Sequence, residues 1–153
     1  MKLFRYTIIF LIINFGALAI GSWLMANGPE TAWYQNLNKA PWTPPGWVFG
    51  AAWTTIMVCF SFYMAFLYKA ISKGMVLWLF TLQFVLNVIW NYIFFNRHFI
   101  GLGFTTILLL TSLIVIFMIK FKKEIGIKTV LIIPYFVWLC IATSLNGYIL
   151  LNN

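Results

Sequence analysis

Apolar residues fall into five long runs, at about 3–26, 46–68, 75–95, 100–121 and 128–151. The breaks between the later runs hold most of the charge: Lys69 with Lys73, Arg97 with His98, and Lys120 to Lys128. Each run holds about 20 residues or more, enough to cross about 30 Å of hydrocarbon at roughly 1.5 Å per helical residue. The pattern predicts an all-α integral membrane protein, a bundle of five transmembrane helices forming one domain over residues 1–153. The segment at about 27–45 is its long outer loop. The first run has a basic start and an Ala17-Leu18-Ala19 triplet like a signal-peptide cleavage site. Its apolar character continues through Trp23 to Met25, so it reads as a retained helix.

Polar positions inside the runs are few and regularly spaced. Gln83, Asn87 and Asn91 recur every four residues in the third run, with Trp90 and Phe94 beside them. That spacing puts them on one helical face. Pro134, Trp138, Ala142 and Asn146 recur likewise in the fifth run, and Trp53 and Met57 in the second. A Trp followed one turn later by Ala leaves a hollow above the indole. An amide facing lipid costs several kcal/mol, so these rows face other helices or a cavity. Two readings stay open: interhelical hydrogen bonds worth about 0.6–2 kcal/mol each, or a cavity wall whose amides also orient a ligand.

Composition agrees with the membrane assignment. Hydrophobic residues make up 63% and charged residues 8%, with a mean hydropathy of +0.96. A soluble domain carries roughly 25% charge, and a fold of this size leaves much of its surface in water. The net charge of +8 is distributed unevenly. Lys2, Arg5, Lys69, Lys73, Lys120, Lys122, Lys123 and Lys128 fall on one side of the membrane, Lys39 and Arg97 on the other. The excess marks the cytoplasmic side. The N-terminus is then cytoplasmic, and the first loop and the C-terminus are outside. The charge suits anionic lipid headgroups and gives no reason to expect nucleic-acid binding.

Several chemistries are disfavoured. No ionisable Asp, Glu, Lys, Arg or His occupies the middle of a run, as ion-coupled transport requires. Both acids, Glu30 and Glu124, lie in loops, Asp is absent, and His98 is the one His. Cys59 and Cys140 form no CxxC motif and have no ligand neighbours, so no metal site is expected. Acid–base catalysis has no visible groups.

Tryptophan is unusually dense, most of all in APWTPPGWVFGAAW, residues 40–53. Trp23, Trp33, Trp42, Trp47 and Trp78 fit membrane interfaces. Trp53, Trp90 and Trp138 lie deeper, where aromatic walls and a few amides suit a flat apolar ligand with polar edges. Pro44-Pro45 stiffens the loop before the second helix. Gly46-x-x-x-Gly50 is a candidate helix contact.

Four segments together resemble a known family: Trp33-Tyr34 followed by APWTPPGWVFGAAWTT; LNVIWNYIFF at 86–95; the Arg97-His98-x-Ile100-Gly101 turn; and PYFVWLCIATSLNGYI at 134–149. The chain resembles the TspO family, the tryptophan-rich sensory proteins related to the mitochondrial translocator protein, or peripheral-type benzodiazepine receptor. The resemblance implies a five-helix bundle, commonly a homodimer, acting as a membrane receptor or sensor in the cell membrane of a bacterium. It implies a pocket in the outward-facing half for protoporphyrin, haem-like tetrapyrroles and related flat ligands, with no cofactor required. It maps Tyr34, Trp42, Pro44, Trp53, Asn87, Trp90 and Trp138 to the pocket lining, with Ala142 and Leu145 beside them. The helical rows add Met57 and Asn91. Some bacterial members degrade porphyrin in light, which makes Trp53 and Trp138 candidate reactive residues; an uncoupled tetrapyrrole or lipid transporter is a further alternative. Sterol binding is not expected, because the basic residue of the animal family's pattern is missing after Leu145 and Tyr148, where ILLNN follows.

Overall fold

The structure, a computed structural model, describes residues 1–71 and 73–153; Ser72 and the Lys73 side chain, in the second break, lie outside the described part. Five helices are long and apolar enough to cross a membrane. They are α1 (Lys2–Met25), α3 (Gly46–Ala70), α4 (Lys73–Asn91), α5 (Ile100–Lys120) and α7 (Ile133–Asn152), with α2 (Ala32–Gln35) and α6 (Lys122–Ile125) as single-turn pieces. The main contacts run in a closed ring, in the order α1, α3, α7, α5, α4 and back to α1, with α3 also touching α4 across it.

Local chemistry sets the ends. Pro45 caps α3 with extended backbone (φ −56°, ψ 150°), and the helix begins at Gly46. Its fixed φ and the restriction it places on Pro44 stop the helix from starting earlier. Pro134 sits in the first turn of α7, where no donor is needed. The last long helix therefore starts later than the apolar run. Residues Gly126–Ile132 form a tighter 3-10 segment, entered through Gly126 at φ 57°. At the opposite membrane end α4 continues into a π-helical turn, Tyr92–Asn96. That turn breaks the four-residue rhythm and brings both Phe94 and Phe95 into the interior.

The two halves of the bundle are filled differently. Near the basic end, Phe60, Tyr63, Phe117 and Tyr135 interlock, with Phe60 edge-on to Tyr135 (5.3 Å) and Phe117 (5.9 Å). All four are at most 1% exposed. Polar groups here bond between helices. Tyr63 donates to the Phe117 carbonyl (2.9 Å), Gln83 Nε2 to the Tyr135 hydroxyl (2.7 Å), and Asn14 Nδ2 to Ser61 Oγ (2.8 Å). At the other end the inward positions are small: Ala17 and Gly21 on α1, Gly46 and Gly50 on α3, Ala142 on α7. Large side chains close one half and small ones leave the other half hollow.

The interfacial tryptophans lie outside this interior. Trp23, Trp47 and Trp78 are exposed, as expected for rings at headgroup level.

Candidate functional site

The hollow half holds a cavity of about 400 Å³, within the usual range for small-molecule sites. From α3 it is walled by Phe49, Trp53 and Thr54, and from α4 by Asn87, Trp90 and Asn91. Helix α7 contributes Trp138, Ala142, Leu145 and Asn146. Helix α1 gives a face with the small residues Ala17, Gly21 and Ser22, ending at Met25, and Tyr34 reaches in from α2. No charged side chain is among the lining residues. Phe49 stands edge-on to Trp138 (5.2 Å, 86°), and Trp90 stacks on Phe94 (5.4 Å, 9°).

The amide row of α4 divides with depth. Gln83 is a cross-link to α7 through Tyr135 and lies outside the cavity. Asn91 lines the cavity, and its Nδ2 bonds only within its own helix, to the Asn87 carbonyl (3.2 Å). Asn146 behaves the same way, donating to the Ala142 carbonyl (2.9 Å) while its Oδ1 is buried with no partner. The buried Trp90 Nε1 also has none. Buried polar atoms are nearly always satisfied; Gln83 Oε1 and Thr129 Oγ1, outside the cavity, also lack a partner, so the feature is not confined to the cavity residues.

The outer loop closes the cavity. Trp33 stacks on His98 (4.0 Å, 13°), and Tyr34 packs on Phe95 (5.3 Å). A Cβ at Gly28 would come within 2.5 Å of the Phe95 side chain, so only glycine fits this approach. Lys39 Nζ donates to the carbonyls of Tyr34 (2.9 Å) and Gln35 (3.0 Å), satisfying the end of α2. The loop is tied to the C-terminus by Asn38, whose N–H donates to Asn153 Oδ1 (2.9 Å) and whose Nδ2 donates to the Asn152 carbonyl (2.9 Å). Burial pushes the Tyr34 phenol above its ordinary value of 10.0.

Of the residues expected at the site, Tyr34, Trp53, Asn87, Trp90, Asn91, Trp138, Ala142 and Leu145 line the cavity together. Trp42, Pro44 and Met57 do not. Trp42 is 55% exposed, donates from Nε1 to Ser144 Oγ (3.1 Å) and meets Tyr148 edge-on. Ser144 and Tyr148 lie outside the cavity-lining set of α7, so Trp42 clasps the loop from the outside. Its neighbour Thr43 reaches the cavity instead of Pro44. Met57 shares an azimuth with Trp53, as the spacing requires, but is 1% exposed in the packed core one turn deeper. Periodicity gives the face of a helix and not the depth along it.

Within the chain, Gly46-x-x-x-Gly50 packs against no other helix. Both glycines line the cavity, and a Cβ at either would meet no heavy atom within 4 Å. The α1 face was missed by reasoning from aromatic and amide rows. Its signal was present in the four-residue spacing of Ala17, Gly21 and Met25.

The fold and site define a class: a five-helix integral membrane protein with an uncharged, aromatic-walled cavity at one end of its bundle. The chain belongs to the TspO/MBR family, whose sequence profile matches residues 8–151. It is 30% identical to the tryptophan-rich sensory protein of Cereibacter sphaeroides, over 74% of this chain and 72% of that protein. It is 28% identical to the tryptophan-rich protein TspO of Bacillus cereus, over 93% of each. It is 29% identical to the human translocator protein, over 83% of this chain and 78% of that protein.

Proposed function

We propose that this protein is a membrane receptor that holds a tetrapyrrole, such as protoporphyrin, in the cavity of its small-residue half. The observation that carries the reading is an uncharged cavity walled by Trp53, Trp90 and Trp138, with two buried polar atoms, Trp90 Nε1 and Asn146 Oδ1, lacking a protein partner. Flat indole faces suit a flat π-system at about 0.5–1.5 kcal/mol per ring pair beyond area burial. The interlocked Phe60, Tyr63, Phe117 and Tyr135 close the other half, which favours a blind pocket over a through-passage. The charge asymmetry supports a cytoplasmic basic end, with the cavity in the outward half.

The test is a protoporphyrin titration of purified protein, followed by quenching of Trp emission. Micromolar binding is expected, and the Trp53→Phe, Trp138→Phe double variant should bind about 30-fold more weakly, two lost contacts of about 1 kcal/mol each. Equal affinity in parent and double variant would remove the site assignment. Illumination of the complex provides a separate check for photochemistry: loss of the Soret band faster than for free porphyrin, and dependent on Trp53 and Trp138, would make the receptor also a degrading enzyme.

A further inference from the structure

A second cavity, of about 600 Å³, lies on the bundle flank at the opposite, basic end. Helix α1 lines it with Arg5, Tyr6, Ile9 and Ile13, and α4 with Leu77, Thr81 and Phe84. Phe10 and Phe80, in edge contact at 5.1 Å, form its back, and Tyr68 closes one end against Tyr6 at 4.8 Å. The groove is apolar along its length and has a guanidinium at its mouth.

That guanidinium has no anion supplied by the chain. The chain has only two acids. Glu30 belongs to the outer loop at the far end of the bundle, and Glu124 to α6, which packs against α3 and α5 and not against α1 or α4. No ion pair to Arg5 occurs among the described residues. Arg5 is exposed at the basic end, where the abundant anions beside a membrane-spanning bundle are lipid phosphates. Arginine also matches phosphate geometry with its forked donors.

We propose that this groove is a binding site for an anionic phospholipid, with the phosphate on Arg5 and an acyl chain lying along Ile9, Ile13, Leu77 and Phe84. The site is separate from the aromatic cavity and takes a different class of ligand. It selects for charge at Arg5 and for a chain through the groove walls.

Native mass spectrometry of the full-length protein in neutral detergent tests this, with palmitoyl-oleoyl phosphatidylglycerol and the matched phosphatidylcholine as probes. The expected result is one phosphatidylglycerol retained per chain in preference to phosphatidylcholine. Arg5→Gln should weaken that retention about fivefold, the effect of about one basic group beside an anionic headgroup. Lys2→Gln, at the same end but outside the groove, should change it far less. Thr81→Trp keeps Arg5 and fills the groove from an exposed position, and it should abolish the retained copy. Glycerol phosphate, the head without the chain, should not compete. Equal retention of the two lipids, equal loss in Arg5→Gln and Lys2→Gln, no effect of Thr81→Trp, or competition by glycerol phosphate would each overturn the proposal. Circular dichroism and thermal melting of all three variants confirm that a loss is not unfolding.

Discussion

Replacing Gly50 with leucine separates the cavity from the fold that surrounds it. Gly50 lines the aromatic cavity, and a Cβ there meets nothing within 4 Å. The first added carbon therefore meets no clash. The substitution also removes a helix-interior glycine, which costs about 0.8–1 kcal/mol relative to a good helix former. Stability should hold or rise. The four added carbons, at roughly the 30 Å³ of a water-sized group, take ~120 Å³. That is close to a third of the about 400 Å³ available. A rigid flat ligand cannot repack around the new side chain, and overfilling costs about 1–3 kcal/mol. Taking ~2 kcal/mol, protoporphyrin affinity should fall about 30-fold. The assay is Trp-quenching titration with thermal melting alongside. Gly16→Leu is the control, since Gly16 is equally unobstructed but outside the lining. Gly50→Leu protein that melts like the parent and still binds porphyrin with the parent's affinity would refute the location of the site. Equal loss in Gly16→Leu would point to a general effect of helix stiffening instead.

Three further outcomes follow from particular contacts. Gln83→Leu and Tyr135→Phe should each lower the melting temperature, and their double-mutant cycle should show a coupling of about 0.6–1.7 kcal/mol for the α4–α7 hydrogen bond. Trp42→Phe breaks the bond to Ser144 without touching the cavity, so stopped-flow release of porphyrin should speed up more than equilibrium affinity falls. The Tyr34 phenol is raised above 10.0 by burial. Its neutral form favours the folded state fully below that pH, and this contribution is lost as pH climbs through the higher folded value; Tyr34→Phe should flatten the alkaline fall in melting temperature.

The chain's pattern alone determined that it crosses the membrane five times, because apolar length against bilayer thickness leaves no other solution. It also determined which faces of the helices turn inward, since amides and deep tryptophans cannot face lipid. The short motifs around Trp53, Trp90 and Trp138 carried the family. Depth and partnership were decided only by the tertiary structure. Gln83 and Asn91 sit on one face of one helix, yet Gln83 bonds across the bundle to Tyr135 of α7 and Asn91 borders a hollow. The difference lies in what stands opposite: a buried tyrosine at one level, and the small face of Ala17 and Gly21 at the other. Met57 and Trp53 divide in the same way; Trp42 keeps the interfacial place its spacing allows, and only its mapping to the pocket lining by family resemblance finds no cavity contact. The glycine pair Gly46 and Gly50 reads from spacing as a contact for another helix. In the folded chain no helix approaches it, and the missing side chains become the room that a ligand would occupy.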